Sequence, residues 1–440
     1  MIFILSFNLY GPLLSLDNLQ FAYQEGCSTT MCTWSVVETI GYFKRNGSDI
    51  YTCCMDMSKA FDLVRHGLLF RKLLEAGIPP IILRLLLFIY VNQFANVKWN
   101  NSVSEIFSLS NGVRQGGVIS AILYCFYGNI LFSSLRKSGY GCWINSVYTG
   151  IYGYSDDNFL LAPSHYALQK MLETCERFAA SHGLLFSTDA DPSKCKTKCI
   201  AFTRKPTILK DIRLCGNVLP WVDSFKHLGN SISNSTCLTD LDITTKRAQY
   251  ISKCLELDQE FYFATGRTKY KLNSIYNFHF TGSPLWDLFG KSALSLEASY
   301  NRSVKNMFNL PVETHRSLIE PITSKPHLRT TLMSRFLSFI NHVSNSQKIV
   351  PKMLLNLVAK DTRSTTGSNL RKILLLTNKC SISELMKKDV YALTYHPLNE
   401  EDIWRANLVS ELIDEQEGIL EVQEFSIEEL TDIIQFLCKD

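Results

Sequence analysis

The first half of the chain alternates short apolar runs with longer segments in which apolar residues recur at helical spacing. Over residues 28–45 the apolar positions recur at three-residue steps, which predicts a helix that Ser28 can cap. Residues 50–57 are apolar and follow a turn sequence, so they predict a buried strand with Asp56 at its C-terminal end. The pattern therefore begins with a helix followed by a strand.

Two hairpins and several further helices follow. Residues 151–161 predict a hairpin whose apolar arms leave Asp156 and Asp157 at the turn. Residues 96–109 predict another, around Asn100-Asn101-Ser102. Helices are predicted over residues 68–76, 81–93, 118–135 and 166–181, and strands near 194–202 and 224–232.

The second half of the chain is helical in pattern. Gly and Pro punctuation separates predicted helices over residues 244–263, 268–280, 294–308 and 328–345. A capping box of Ser426 and Glu429 predicts one more helix near the C-terminus. This order of elements predicts an α+β fold, with helices packed on one face of a largely antiparallel sheet.

The net charge of +4 is unevenly distributed along the chain. Residues 400–440 hold 13 acidic and 2 basic residues, a net charge of −11, so the other 399 residues carry +15. Phosphate contacts dominate nucleic-acid affinity, so this basic body favours a polyanionic partner. The same distribution also fits an ordinary solvated basic face, and charge alone does not decide between the two.

The cysteines and the apolar segments of the sequence indicate in which cellular compartment the protein is located. The 14 cysteines are scattered, mostly in apolar runs, without a CxxC pair, which predicts reduced core thiols in an intracellular protein. Residues 1–5 are apolar but lack the basic start and cleavage site of a signal peptide. Residues 81–91 are interrupted by Arg84 and are too short to span a bilayer. We expect a location in the nucleus or cytoplasm, away from membranes.

Three carboxylates stand where divalent cations would be bound. Asp56 ends a buried strand, and Asp156 and Asp157 repel each other in a tight apolar turn, so all three need a positive partner. Two metal ions roughly 3.5–4 Å apart can activate a 3′-hydroxyl and stabilise a leaving pyrophosphate in nucleotidyl transfer. The alternatives are a helix-capping role for Asp56 and a solvated turn for the acid pair.

A glycine-bearing loop and a lysine cluster accompany these acids. Residues 112–117 contain three glycines, which let backbone approach a ligand closely. Between them, Arg114 and Gln115 supply donors suited to a nucleotide or a template base. Lys194, Lys196 and Lys198 cluster where a lysine could touch a triphosphate or protonate pyrophosphate. An ordinary loop into a helix and a solvated basic loop are the alternative interpretations.

In their fixed order, these elements resemble the reverse transcriptases of non-LTR (LINE-type) retrotransposons. The motifs that carry the resemblance are A-F-D at 60–62, G-V-R-Q-G at 112–116, Y-S-D-D at 154–157, K-T-K at 196–198 and F-K-H-L-G at 225–229. The likeness covers residues 20–235 and extends more loosely to about 350. It implies an RNA-directed DNA polymerase with the right-hand architecture of a palm, partial fingers and an all-helical thumb.

The resemblance implies a role for each matching residue. Asp56, Asp156 and Asp157 match the catalytic carboxylates, which bind two Mg²⁺ (or Mn²⁺) ions. Met57 adjoins the same metal site. The residues that match substrate-binding positions are Phe61, Arg114, Gln115, Gly116, Lys196 and Lys198. Among them, Phe61 would lie under the sugar and clash with a ribose 2′-hydroxyl, which selects deoxynucleotides.

The chain departs from the family pattern near its start and at the acid pair. Ser155 stands where the family most often has Ala. Gln24 and Glu25 stand where the family usually carries a basic residue that contacts the triphosphate. The match begins near Gln20, so we expect an N-terminally truncated copy that lacks most of the fingers and any preceding endonuclease domain.

The resemblance also implies a division of the chain and a set of partners. The four expected parts are partial fingers at 1–50, the palm at 51–235, a helical thumb at 236–350, and a helical C-terminal extension with an acidic tail at 351–440. The implied partners are an RNA template, a DNA primer and dNTPs, with no firm protein partner.

Three other functions fit parts of the pattern. An inactive, retroelement-derived relic would bind nucleic acid without turnover, which Gln24 and Glu25 favour. Another palm polymerase, such as an intron-encoded maturase or a viral RNA polymerase, is disfavoured because Phe61 opposes RNA synthesis. A metal phosphatase or nuclease would need His and Asp clusters that this sequence lacks.

Overall fold

The computed structural model describes residues 14–117, 119–276 and 280–377. Within these ranges the chain mixes helices and strands, which confirms the α+β class. The chain divides into two compact units. Of the described residues, the first unit comprises those within 14–228, 233–236 and 343–358, and the second comprises those within 229–232, 237–342 and 359–377. The four parts expected from the resemblance stay a prediction, and the helix expected near Ser426 lies outside the described residues.

The helices follow one another along the whole described chain. They are α1 (Thr29–Arg45), α2 (His66–Glu75), α3 (Pro80–Val91), α4 (Ser120–Gly128), α5 (Ile130–Lys137), α6 (His165–His182), α7 (Asp240–Glu260), α8 (Gly266–Tyr276), α9 (Lys291–Met307), α10 (Ile319–Thr323), α11 (Leu328–Asn345), α12 (Ile349–Val358) and α13 (Thr365–Leu376). Short 3₁₀ helices lie at Ser283–Leu285 and Arg316–Leu318.

The strands lie between residues 50 and 233. They are β1 (Ile50–Met55), β2 (Met57–Ser58), β3 (Phe94–Ala95), β4 (Lys98–Trp99), β5 (Ser102–Val103), β6 (Phe107–Ser108), β7 (Trp143–Ile144), β8 (Val147–Tyr148), β9 (Ile151–Tyr154), β10 (Asp157–Ala162), β11 (Leu185–Phe186), β12 (Lys198–Phe202), β13 (Arg213–Leu214), β14 (Asn217–Val218), β15 (Ser224–His227) and β16 (Asn230–Ser233).

A four-stranded antiparallel sheet forms the centre of the first unit. Its strand order is β12-β1-β10-β9. The two middle strands, β1 and β10, are apolar and almost wholly buried, as expected for strands covered on both sides. Met55 of β1 pairs with Asn158 of β10, and Cys54 pairs with Lys198 of β12. This register brings the C-terminal end of β1 beside the start of β10.

Helices cover both faces of this sheet. Side chains paired directly across an antiparallel sheet share a face and alternate along each strand, so the register points Tyr152 and Tyr51 to opposite faces. Tyr152 shares a 2.7 Å hydrogen bond with Thr39 of α1. The ring of Tyr51 lies 4.0 Å, centroid to centroid, from that of His165 at the start of α6. The prediction of helices on one face is therefore wrong, because both apolar faces need cover.

Most predicted elements of the first unit are confirmed, with one clear exception. Ser28 caps α1, its Oγ accepting from the backbone N of Met31 at 3.1 Å. The predicted single helix over residues 118–135 is instead two helices that meet at Asn129. The Asn129 side chain accepts from the backbone N of Asp17 at 2.8 Å and donates to the carbonyl of Ser15 at 3.1 Å. The junction thus anchors an N-terminal segment that local pattern could not reveal.

In the second unit the four helices predicted between residues 244 and 345 are confirmed, with ends shifted by up to four residues. Trp286 is fully buried there, and its Nε1 donates to Asp242 Oδ2 at 2.8 Å. Lys246 pairs with the same carboxylate at 2.8 Å. This polar cluster ties the start of α7 to the loop after α8.

The described residues also test the predictions about reduced cysteines and membrane-spanning segments. All twelve cysteines there are free, and most are buried, in agreement with the predicted core thiols. No helix in those ranges is long and apolar enough to cross a membrane. The predicted location in the nucleus or cytoplasm stays a prediction.

Candidate active site

Asp56 lies in the one-residue gap between β1 and β2. Its backbone N donates to Thr197 Oγ1 at 3.2 Å, and its carbonyl accepts from the backbone N of Ser187 at 2.8 Å. Thr197 is fully buried, so this contact is shielded from water. Both backbone polar groups of Asp56 are therefore engaged, which fixes the position of its backbone at this end of the sheet.

The predicted acidic hairpin is formed by β9 and β10. Ser155 and Asp156 make the turn, and Asp157 opens β10 opposite Tyr154. Ser155 has a φ of +61°, in the left-handed region that few non-glycine residues adopt. Asn158 donates from Nδ2 to the carbonyl of Asp156 at 3.0 Å, which closes the turn.

The three acidic residues come together at one end of the sheet. Met55 pairs with Asn158, and continuing this antiparallel register by one residue places Asp56 opposite Asp157. Burial raises the pKa of Asp157 to about 6, and the charges of Asp156 and Asp56 add to that shift. Burial also raises the pKa of Asp156, again with a contribution from Asp56. The carboxylates therefore repel one another in a partly desolvated corner.

The chemistry of these donors fits a divalent cation. Carboxylate oxygens are preferred ligands of Mg²⁺ and Mn²⁺, and a cation would relieve the repulsion among the three acids. Among the described residues, however, no three His, Cys, Asp or Glu side chains are already arranged as a ligand set. Met57, expected at the same site, is buried, and its sulfur accepts from the hydroxyl of Tyr124 at 3.2 Å.

Phe61 lies beside the acidic corner, in contact with Tyr124. The two rings stack with centroids 4.9 Å apart and planes inclined by 14°. Burial raises the pKa of Tyr124 well above its ordinary value, and the charges of Asp156 and Asp157 add to the shift. The structure thus brings Phe61 close to the acids through a shared aromatic neighbour.

The glycine-bearing loop packs on the segment that carries Phe61. The backbone N of Val113 donates to the Phe61 carbonyl at 2.8 Å. Gly112 has a φ of +92°, and a Cβ there would lie 3.1 Å from Asp62 Cα, so the close approach requires glycine. The loop residues assigned to substrate binding are exposed: Arg114, Gln115 and Gly116.

The two candidate lysines differ in their surroundings. Lys198 begins β12 opposite Cys54. Burial raises the pKa of Cys54 to about 12; the charges of Asp157 and Asp56 add to this shift, and Lys198 opposes it. Lys198 therefore shares the corner with the acids. Lys196 is exposed in the loop before β12.

Sequence patterns missed two residues that support the acids. Gln20 is buried; its Oε1 accepts from the backbone N of Ser155 at 3.1 Å, and its Nε2 donates to the Ser155 carbonyl at 3.3 Å. The second is Thr197, which binds the backbone of Asp56. These contacts join residues 135 and 141 positions apart, so no local pattern marks them. For Gln20 the available signal was a polar residue between the apolar Leu19 and Phe21, and for Thr197 it was the position between the two lysines of the K-T-K motif.

The sequence matches a family model described as reverse transcriptase (RNA-dependent DNA polymerase) over residues 11–232, half of the chain. The chain belongs to the reverse transcriptase family. This membership agrees with the resemblance to non-LTR elements, because the curated relatives include Pol polyproteins of R2 elements and a protein of transposon TX1.

Three curated relatives illustrate the distance of this relationship. A retrovirus-related Pol polyprotein from the type-1 retrotransposable element R2 of Bradysia coprophila is 27% identical over 168 residues, which cover 38% of this chain and 19% of that protein. The polyprotein of element R2DM of Drosophila melanogaster is 25% identical over 169 residues, covering 38% and 16%. The Transposon TX1 uncharacterized 149 kDa protein of Xenopus laevis is 27% identical over 146 residues, covering 33% and 11%.

These alignments span less than one fifth of each relative. Among solved structures, a telomerase from Candida albicans, in complex with a TWJ fragment of telomeric RNA, aligns with 13% identity and a TM-score of 0.40. That alignment covers 89% of this chain and 56% of the telomerase chain.

Proposed function

We propose that this reverse transcriptase family chain carries an RNA-directed DNA polymerase domain of a non-LTR retrotransposon. The central sheet would be the palm of a right-hand polymerase, joined to partial fingers and a helical thumb. The observation that carries the proposal is the position of Asp56 opposite Asp157, where burial and the charge of Asp56 raise the pKa of both Asp156 and Asp157. Such a cluster is common where charge is used for chemistry.

The acids would hold two Mg²⁺ or Mn²⁺ ions, with Met57 next to Asp56 at the edge of the same site. Bound there, the ions would activate the primer 3′-hydroxyl and stabilise the departing pyrophosphate. Asp156 and Asp157 are desolvated and mutually repelled, so their carboxylates gain more from a cation than solvated carboxylates would. The bonds from Thr197 and Ser187 hold the Asp56 backbone while the substrate is positioned.

The neighbouring residues would shape the nucleotide site. Phe61 is held against Tyr124, so its ring resists displacement and would exclude a ribose 2′-hydroxyl. The exposed Arg114 and Gln115, with the open backbone at Gly116, would contact the incoming nucleotide or the template. Lys198 would face the triphosphate, with Lys196 at the edge of the site. The RNA template and DNA primer would be held mainly by phosphate contacts.

A primer-extension assay tests the assignment. The 440-residue chain is expected to extend a DNA primer on an RNA template with dNTPs and Mg²⁺. Asp156→Ala should reduce the rate by a factor on the order of 10³ or more, because it removes a group that acts on the reacting atoms. Asp211→Ala, which removes an exposed acid elsewhere in the first unit, is the matched control and should retain activity.

Thermal unfolding of both variants would establish that they fold. Equal extension by the wild type and Asp156→Ala would refute the site assignment. Replacing dNTPs with rNTPs distinguishes the proposed DNA polymerase from an RNA polymerase. An RNA polymerase would incorporate both kinds of nucleotide or would prefer rNTPs.

The second candidate is a retroelement-derived nucleic-acid-binding relic. Gln24 and Glu25, in place of the basic residue that the family usually carries, favour it because they offer no cation to a triphosphate. Binding of an RNA–DNA hybrid that weakens steeply with salt, without incorporation of any nucleotide, would support the relic.

A further inference from the structure

A buried lysine from far along the chain reaches the segment that supports the acidic hairpin. Lys348 is 6% exposed, and its Nζ donates to the backbone carbonyls of Asp17 and Gln20 at 3.2 and 2.8 Å. It also donates to Gln24 Oε1 at 2.9 Å. An ammonium group has three protons, and each finds an acceptor here. The ring of Phe21, with its centroid 5.6 Å from Nζ, adds a cation–π contact.

All of these acceptors are neutral. Within the described part of the chain, no carboxylate lies within ion-pair distance of Lys348, so the direct contacts of its buried charge are these hydrogen bonds and the ring of Phe21. Burying a charge is unfavourable unless its hydrogen-bonding capacity is filled. An apolar side chain would pack here without that penalty. The ammonium therefore has a role in ordering the loop that it binds.

The loop bound by Lys348 is attached to the acidic hairpin at its backbone. Gly153 in β9 donates from its N to the Leu19 carbonyl at 2.9 Å and accepts at its own carbonyl from the N of Phe21 at 2.8 Å. Between these two residues, the Gln20 side chain engages both backbone polar groups of Ser155. Ser155 has the left-handed backbone conformation, so its geometry depends on such external support.

We propose that Lys348 is a positioning residue for the acid pair and acts through Gln20. The inference rests on the proposed function, because it treats Asp156 and Asp157 as metal ligands. Lys348 fixes residues 17–24, Gln20 fixes Ser155, and Ser155 sets the direction in which Asp156 leaves the turn. The first unit thus draws a part of its candidate site from residues 343–358.

Hydrogen exchange tests the first step in the full 440-residue chain. Lys348→Met removes the ammonium group but keeps an unbranched side chain of similar length. Lys352→Met, the same change four residues later in α12, is the matched control. We expect exchange at the amides of Phe21 and Ser155 to accelerate about tenfold or more in Lys348→Met, and to stay within about twofold in the control.

Mn²⁺ titration followed by electron paramagnetic resonance tests the second step. Lys348→Met should weaken Mn²⁺ binding about tenfold, at the low end of the range for residues that orient ligands from outside. Gln20→Leu should have a similar effect. The double variant should add little, because both changes break the same series of contacts. Urea unfolding of each variant separates local loosening from global loss of structure.

Several results would overturn the role of Lys348. Unchanged amide exchange at Ser155 in Lys348→Met would contradict it. Faster exchange in this variant with unchanged Mn²⁺ affinity would contradict it as well, since Lys348 would then be merely structural. If Lys348→Met does not fold, Gln24→Leu removes one acceptor and should accelerate exchange at Ser155 by a smaller factor; no acceleration would also overturn the role. A wild type that binds Mn²⁺ without extending a primer would refute the proposed function alone, and the exchange and Mn²⁺ results would still decide the role of Lys348.

Discussion

The hydrogen bond between Thr39 and Tyr152 joins α1 to the central sheet, and both side chains are fully buried. Tyr152→Phe should lower the free energy of unfolding by about 1–2 kcal/mol, because it leaves the Thr39 hydroxyl unpaired. Thr39→Val should cost a similar amount. Removing both hydroxyls should cost less than the sum of the single changes, and urea denaturation would measure all three. Strict additivity would show that the two hydroxyls do not interact.

His227 should make the chain sensitive to acid. It is buried, its Nδ1 is 3.0 Å from Thr33 Oγ1, and burial lowers its pKa from 6.5 to about 4. The unfolded chain therefore binds a proton that the folded chain resists. This contribution to stability is fully present above pH 6.5 and is lost as the pH falls toward 4, by about 3 kcal/mol at pH 4.

Urea denaturation between pH 7 and pH 4 would measure this loss. His227→Phe has no proton to take up at this position, so its unfolding free energy should fall less steeply over the same interval. Parallel curves for the two proteins would contradict the assignment.

The acidic residues of the candidate site could be predicted from the sequence, whereas the residues that hold the backbone around them could not. Asp56, Asp156 and Asp157 stand out because carboxylates are unexpected in apolar runs, and the structure brings them to one end of the sheet. Gln20 and Lys348 act through contacts with residues that are distant in sequence, and no periodic pattern encodes such contacts. Their importance follows only from the folded arrangement.

At the level of elements, close packing against β9 restricts one glycine. A Cβ at Gly153 would lie 2.5 Å from a ring atom of Phe132 and 2.9 Å from Asn158 Oδ1. Gly153→Ala should therefore lower the free energy of unfolding by about 1–3 kcal/mol through overpacking. Gly67→Ala, in α2, meets no atom within 4 Å and should be neutral or stabilising by up to about 1 kcal/mol. Thermal or urea denaturation would compare them, and equal stability of the two variants would contradict this account.

Whether a segment is a helix or a strand could be predicted wherever its apolar residues recur at a clear period. The ends of the elements, and the sides on which they are buried, were harder to predict. The junction at Asn129 depends on a side chain that binds residues 15 and 17, which a helical period over 118–135 cannot show. The placement of helices on both faces follows from β1 and β10, whose continuous apolar runs fit burial on two sides. The prediction of helices on one face was wrong because it treated these strands as buried on one side only.

At the level of the whole molecule, the first unit is discontinuous in sequence. The family match ends at residue 232, yet residues 343–358 also belong to this unit. There α12 packs against α1, and Ser346 lies beside Met31, its Oγ 3.9 Å from the sulfur. A boundary drawn from motifs alone would assign this helix elsewhere, because it contains none of them.

Because the first unit is discontinuous in sequence, its fold can be completed only late in translation. The contacts of Lys348 close loops of 324 to 331 residues, so the ribosome must translate 324 residues beyond Gln24 before Lys348 can bind the loop at residues 17–24. Contacts of such long range slow folding. Until then, a nascent chain would expose an unfinished acidic corner to chaperones and proteases, and a premature stop codon before position 348 would leave it in that condition.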